Sequence, residues 1–391
     1  MTHFVRKTNR REFIRLALVS PLVFSTMASV ARAADGSDQL THPDYTNLKE
    51  LLTPFRADNG LPAIAAGVMR YGVVVASGAV GLRKVGARTP VTILDKFHLG
   101  SCTKAMTATL AAKLVEHGKI QWSSTLAGIF PERAEKMHPS YRKASLELLL
   151  THRAGVPRDS LHYQAQNIPM IARRLRYLDS VVEYPPESEP NTQFSYSNAG
   201  YVIVGAMLER VTGRVWEDLM RDGLFRPLGM SSAGFGSSAK PNQTNQPWGH
   251  KFVDGKYMPN YEDGGPVLGP PGRVHCTILD CLKFADFHAS NGERPPRLLN
   301  PVSLAKLHPP RKLDGQGLPA PEGYAMGWSV IRQEWANGLA LTHQGSNGAN
   351  LFVVWIGPSI GLSVALACNA AGGKADVLNS IAVELALKFA K

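Results

Sequence analysis

The chain has 391 residues, with 43 Lys and Arg against 31 Asp and Glu, a formal net charge of +12. Six of those cations and one Glu fall in the first 33 residues, so the remainder carries only +7 with its basic residues scattered. That balance gives no support to nucleic-acid binding, and a chain of this length is enough for one large domain or two lobes sharing a core.

Residues 1–33 read as an export signal. Arg6, Lys7, Arg10 and Arg11 form a charged start, and Asn9-Arg10-Arg11-Glu12-Phe13-Ile14 has a twin-arginine character. A moderately apolar stretch runs from Leu16 to Val30, and Ala31-Arg32-Ala33 has the small-x-small form of a cleavage site. Pro21 and polar residues interrupt a stretch already short for spanning, which disfavours a membrane anchor. The expectation is a periplasmic or secreted protein with no stable membrane insertion. Cys102, Cys276, Cys281 and Cys368 are too few for a disulfide framework, and free, mostly buried thiols are expected.

Beyond the signal, residues 44–57 predict an amphipathic helix. Ala63–Arg70 and Val73–Val80 predict two strands joined at Tyr71-Gly72. Ser101-Cys102-Thr103-Lys104 then opens a helix rich in small and apolar residues. From about 121 to 300 the pattern becomes helical pieces broken by Pro- and Gly-rich loops, clearest at Leu146–Thr151 and Tyr201–Val211. Asn242–Pro271 reads as a long surface excursion. Strand patterns return at Met326–Ile331, Leu339–His343, Leu351–Ile356 and Leu362–Cys368, and Val377–Phe389 predicts a closing helix. Strands at both ends with helices between them predict an α/β (α+β) fold. Its antiparallel sheet is flanked by helices from the two chain ends, and an all-α lobe is inserted between them. The expected division is 34–120 with 301–391 for the sheet lobe and 121–300 for the helical lobe, with a site in the cleft between.

Three motifs carry chemistry. Ser-x-x-Lys is expected by chance on the order of once in a chain this long, and it occurs here at Ser101/Lys104, Ser140/Lys143, Ser237/Lys240 and Ser303/Lys306. Only the first follows an apolar-Gly approach, Phe97-His98-Leu99-Gly100, and precedes a long helical pattern. Residues three apart share a helix face, so the Ser101 hydroxyl and Lys104 amine can meet. Tyr196-Ser197-Asn198 supplies a phenol and an amide. His343-Gln344-Gly345 supplies a Gly-edged strand along which a substrate backbone could lie. Together these suit acyl transfer through a serine ester.

Other readings are weaker. Cys102 would point about 100° from Ser101 on a helix and has no partner pattern. His152 is read as structural. No His-Glu-x-x-His spacing suggests a metal, and no Gly-x-Ser-x-Gly elbow suggests an α/β-hydrolase. Trp328 and Trp355 read as core. No metal or other cofactor is expected.

The chain resembles the serine β-lactamase and penicillin-binding-protein-like hydrolases, in particular the branch of class C β-lactamases, D-peptidases and esterases. The resemblance rests on Pro90-Val91-Thr92 leading to Phe97–Lys104, on Leu149-Leu150-Thr151-His152-Arg153-Ala154-Gly155, and on Phe194–Tyr201. Tyr324-Ala325-Met326-Gly327-Trp328 and His343-Gln344-Gly345-Ser346 complete it. It implies that Ser101 is acylated, that Lys104 assists its deprotonation, and that Tyr196 shuttles a proton to the leaving group. It also implies an oxyanion hole made by the backbone N–H groups of Ser101 and Ser346, with Asn198, His343 and Gly345 beside the substrate.

One departure matters. β-Lactamase members of the family usually carry Lys-Thr-Gly where this chain has His343-Gln344-Gly345, and a histidine is not a permanent cation at neutral pH. The expected substrate is therefore a small ester, amide or β-lactam-like molecule. Esterase or D-amino-acid peptidase is favoured over efficient β-lactamase. DD-carboxypeptidase, acyltransferase and non-catalytic penicillin-binding-like protein are the alternatives.

Overall fold

The computed structural model describes residues 45–310 and 323–391, and the signal read over 1–33 lies outside them. In chain order the strands are β1 (Thr46–Asn47), β2 (Ala63–Arg70), β3 (Val73–Gly81), β4 (Phe97–His98), β5 (Gly234–Phe235), β6 (Gly249–Val253), β7 (Lys256–Asn260), β8 (Val274–Cys276), β9 (Gly323–Tyr324), β10 (Ser329–Gln333), β11 (Gly338–Ser346), β12 (Leu351–Gly357) and β13 (Leu362–Cys368). Eight of them form one sheet in the order β1-β3-β2-β13-β12-β11-β10-β9, so the two ends of the chain meet where β2 pairs with β13. All its pairings are antiparallel except the short β1–β3 contact.

The central strands read as unbroken apolar runs because both faces of the sheet are covered. In β12, Phe352, Val354 and Ile356 point into the larger core, while Leu351, Val353 and Trp355 point into a second one. The second core is closed by the helices Lys49–Asp58 and Ala375–Phe389, whose Leu48, Leu52, Leu378, Ile381 and Leu385 neighbours and members are buried in it. The larger core is filled by the Ile278–Ala289 helix, the Thr103–Glu116 helix and the helices between. Gly67 of β2 permits close docking here. A Cβ at that position would come within 2.7 Å of Ile278 Cγ2 and 2.8 Å of Leu282 Cδ1.

Two departures from the sequence reading have physical causes. The Ile278–Ala289 helix falls within the stretch assigned to a separate helical lobe, yet it packs on β2, β12 and β13. Its periodicity records an apolar face and not which surface that face meets. The Asn242–Pro271 excursion contains the β6–β7 hairpin, masked by its Gly and Pro content. It ends in the buried turn Gly269–Gly272, which turns out to matter below. Among the described residues no helix is long and apolar enough to cross a membrane. All four cysteines are free and buried, as their number suggested.

Candidate active site

The Thr103–Glu116 helix runs through the middle of the molecule, with eleven of its fourteen residues buried. Its Ala and Thr content is what such a position demands, since neighbours approach from every side. Ser101 lies just before it, in the tight turn Gly100–Cys102. The turn is held by its own approach: His98 Nδ1 accepts from Gly100 N at 3.1 Å, and its Nε2 lies 3.2 Å from Asp263 Oδ2. Arg273 Nε donates to the same oxygen at 3.0 Å, and Asn347 Nδ2 reaches Asp263 Oδ1 at 3.4 Å. Burial opposes ionisation of Asp263, but His98 and Arg273 outweigh it and hold the carboxyl well below its usual range. One carboxylate thus ties the segment before Ser101 to the segment after Ser346.

Gly345 and Gly100 meet backbone to backbone. A Cβ on Gly345 would fall 2.6 Å from Ser101 N, and one on Gly100, at φ 51°, would fall 2.3 Å from Ser346 N. The amides of Ser101 and Ser346 are therefore carried on two backbone segments in direct contact. Pairing of β10 with β11 stops at Thr342, so among the described residues His343–Ser346 pairs only with β12 and its other edge carries no strand.

Lys104 is fully buried. Its Nζ donates to Ser101 Oγ at 3.1 Å, to Asn198 Oδ1 at 2.8 Å and to the Pro271 carbonyl at 3.0 Å. None of these partners is charged. Burial pulls the amine down to about 7, only partly opposed by the field of Asp159. Its Nζ also lies 4.7 Å from the centre of the Tyr196 ring. Burial pushes the Tyr196 phenol up to about 12, against the pull of a hydrogen bond with Ser101. Desolvation outweighs the nearby cations at this phenol. Lys104 is the more readily deprotonated of the two.

Asn198 begins the Asn198–Thr212 helix, capped by Ser197. The Ser197 hydroxyl accepts from Gly200 N at 2.8 Å and donates to the Pro157 carbonyl at 2.6 Å. Such a cap is worth about 1 kcal/mol, and here it also clamps the 157–159 loop to the site. The Asn198 side chain was expected to face substrate. Its oxygen is instead taken by Lys104, and its Nδ2 points at Asp159 Oδ1, 3.2 Å away.

His343 also departs from expectation as a substrate-binding residue. It is buried, with Nδ1 at 2.6 Å from the Gln344 carbonyl and Nε2 at 3.1 Å from the Tyr324 hydroxyl. Burial, with the Lys104 charge, brings it down to about 3, so it is neutral and both nitrogens are occupied. His152, read as structural, accepts from Ser197 N at 3.1 Å through Nδ1 and packs against Tyr196, Tyr201 and Tyr324. Cys102 donates its thiol to the His343 carbonyl at 3.3 Å, and burial pushes it well above its usual range, which leaves it a poor nucleophile. Trp328 and Trp355 are buried in the two cores.

The structure therefore brings Ser101, Lys104, Tyr196, Asn198, His343, Gly345 and Ser346 into one neighbourhood. Sequence reasoning missed Asp159 and the Pro271 carbonyl. A backbone oxygen has no residue signature, and Asp159 follows no motif spacing. A cavity of about 660 Å³ between Arg133 and Tyr184 contains none of these residues. Among the described residues no group of His, Cys, Asp and Glu could hold a metal.

The β-lactamase family profile matches residues 48–388. The chain belongs to the β-lactamase family. Penicillin-binding protein 4 of Amycolatopsis lactamdurans is 28% identical over 360 residues, covering 88% of this chain and 91% of that protein. Lovastatin esterase of Penicillium rubens is 28% identical over 193 residues, covering 44% of this chain and 48% of the esterase. The solved structure of a class C β-lactamase from Rhodobacter sphaeroides superposes with a TM-score of 0.66 at 19% identity, over 86% of this chain and 97% of that one, and supports the fold. The family and its relatives support a hydrolase.

Proposed function

We propose that the protein is a serine hydrolase that cleaves carboxylic esters or amides through an acyl-enzyme on Ser101. The observation that carries this reading is the contact of 3.1 Å between Ser101 Oγ and a buried amine brought down to about 7. Neutral Lys104 takes the Ser101 proton as Oγ attacks the carbonyl. The oxyanion is received by the backbone N–H groups of Ser101 and Ser346. Tyr196, a neutral phenol, gives its proton to the leaving oxygen or nitrogen and is reprotonated from Lys104. Water then attacks the ester along the reverse proton path, releasing the acid and free Ser101.

Substrate preference follows from His343. A neutral imidazole with both nitrogens engaged offers no fixed charge to the carboxylate of a penicillin-like molecule. The reading is therefore esterase or D-amino-acid peptidase ahead of β-lactamase, acting outside the cytoplasm after export on the residue 1–33 signal. Incubation with a fluorophosphonate followed by peptide mass spectrometry is expected to place one adduct on Ser101. Labelling of equal extent in Ser101→Ala would defeat the assignment. A panel of p-nitrophenyl esters, D-amino-acid amides and nitrocefin then ranks the substrate classes by kcat/KM.

A further inference from the structure

The Lys104 amine has three acceptors around it: Ser101 Oγ, Asn198 Oδ1 and the Pro271 carbonyl. An ammonium fills all three with its three N–H groups. A neutral amine keeps two N–H groups and one lone pair. The Pro271 carbonyl can only accept, so it claims one N–H. Asn198 is ambivalent, because a primary amide can present either its oxygen or its NH₂. With the oxygen inward, Asn198 claims the second N–H and the lone pair is left for the Ser101 hydroxyl. With the NH₂ inward, Asn198 donates into the lone pair and the base is lost.

The choice is made on the far side of the amide. Asp159 Oδ1 and Oδ2 lie 3.2 and 3.5 Å from Asn198 Nδ2. A carboxylate only accepts, so it keeps the NH₂ outward. Asp159 is half-exposed, but its backbone is fixed. The Arg158 carbonyl accepts from Asn198 N at 2.7 Å and Ala199 N at 3.1 Å, and the Pro157 carbonyl accepts from Ser197 Oγ at 2.6 Å. The loop that carries the carboxylate is thus fastened to the helix start that carries the amide.

We propose that Asp159 is a positioning residue: it locks the Asn198 amide with its oxygen toward Lys104 and so aims the Lys104 lone pair at the Ser101 hydroxyl. This rests on the serine-hydrolase reading above. It also carries a pH signature. The groups that face Lys104 are Asp159 and Arg158 from the loop, Tyr196 and Tyr201, His152, His343, and Cys102 from its own segment. Asp159 is the one carboxylate among them, and its charge holds the Lys104 proton on. Removing that charge moves deprotonation of Lys104 to lower pH.

Two variants separate the roles. Asp159→Asn keeps an oxygen that accepts from Asn198 but drops the charge, whereas Asp159→Ala drops both. The readout is the rate of fluorophosphonate labelling at Ser101 between pH 5 and 9. Asp159→Ala is expected to slow labelling about 10- to 100-fold, less than the roughly 10²- to 10⁴-fold contributed by a positioned general base, because Lys104 itself remains. Asp159→Asn is expected to stay within about threefold at its plateau, with its rising limb shifted to lower pH. If Asp159→Ala melts early, Asp159→Asn with its displaced limb carries the test alone. Labelling of Asp159→Ala as fast as the unmodified protein would overturn the proposal, and so would an Asp159→Asn limb that has not moved. An unmodified protein that fails to label on Ser101 would overturn the hydrolase reading as well, whereas failure confined to the variants overturns the role of Asp159 alone.

Discussion

Lys104 and Arg174 are both fully buried cations, and the protein treats them in opposite ways. Arg174 meets two carboxylates, Glu209 and Glu217, the latter at 2.6 Å, and also the Val267 and Pro266 carbonyls. Burial opposes its charge, but those carboxylates win and raise its affinity for the proton. Lys104 meets a hydroxyl, an amide oxygen and a carbonyl, and burial wins. The first arrangement ties the Met170–Val182, Asn198–Thr212 and Trp216–Met220 helices together with a permanent ion cluster. The second keeps a proton poised to leave. Burial alone says nothing about function. What distinguishes the two cations is whether a carboxylate touches them directly.

The contrast breaks most visibly if Lys104 is replaced. Lys104→Met is expected to lower kcat/KM for a p-nitrophenyl ester by at least about 10³-fold, since base and proton relay go together. Lys104→Arg is expected to fare no better, because a guanidinium does not deprotonate in the working range. The stability effect runs the other way and has a definite sign. The folded-state pKa of Lys104 lies below its unfolded value, so the native state binds fewer protons between about 7 and the unfolded value near 10.5, and stability from this group rises with pH across that window. Below it, both states are protonated and the full penalty of the buried charge remains. Lys104→Met is therefore expected to raise Tm at pH 6 and to lose that advantage by pH 10, as calorimetry at the two pH values would show. A Tm difference that grows with pH would contradict the account.

Arg174→Met inverts the pattern. Breaking a buried ion cluster by removing one partner costs about 3–5 kcal/mol, because Glu209 is left buried and unpaired. Denaturant unfolding is expected to show that loss, while ester hydrolysis below the new melting range stays within about threefold of the unmodified protein. A large fall in turnover with intact stability would mean that the ion cluster reaches the site.

The smallest effect sharpens the comparison at the third motif. His343→Lys places a cation beside Tyr324, where the imidazole now sits neutral. One new ion pair with a substrate carboxylate is worth about 1 kcal/mol, so the nitrocefin-to-ester ratio of kcat/KM is expected to rise around fivefold. An unchanged ratio would show that position 343 is too deeply set to reach a substrate.

The parts legible in the sequence were those written in periodicity or in side-chain spacing. Ala63–Arg70, Leu351–Ile356 and Leu362–Cys368 announced themselves as apolar runs, and Ser101-x-x-Lys104 as a hydroxyl within reach of an amine. What stayed hidden depends on the far side of a contact. The Pro271 carbonyl, the Asp159 carboxylate and the two occupied nitrogens of His343 became visible only once distant segments were brought together. The upward shift of Tyr196 was hidden for the same reason: a list of nearby cations does not reveal how much water has been removed.

The backbone contact between Gly100 and Gly345 has a practical reach for anyone wishing to retarget the enzyme. Neither position tolerates even a methyl group, so a mutational library spent there would yield mostly inactive clones. Gln344 and Ser346, which flank Gly345, are exposed, although Ser346 Oγ accepts from Gly348 N at 3.0 Å. They behave like adjustable fittings on a fixed rail, and saturation at 344 and 346 is where new selectivity can be sought without moving the rail itself.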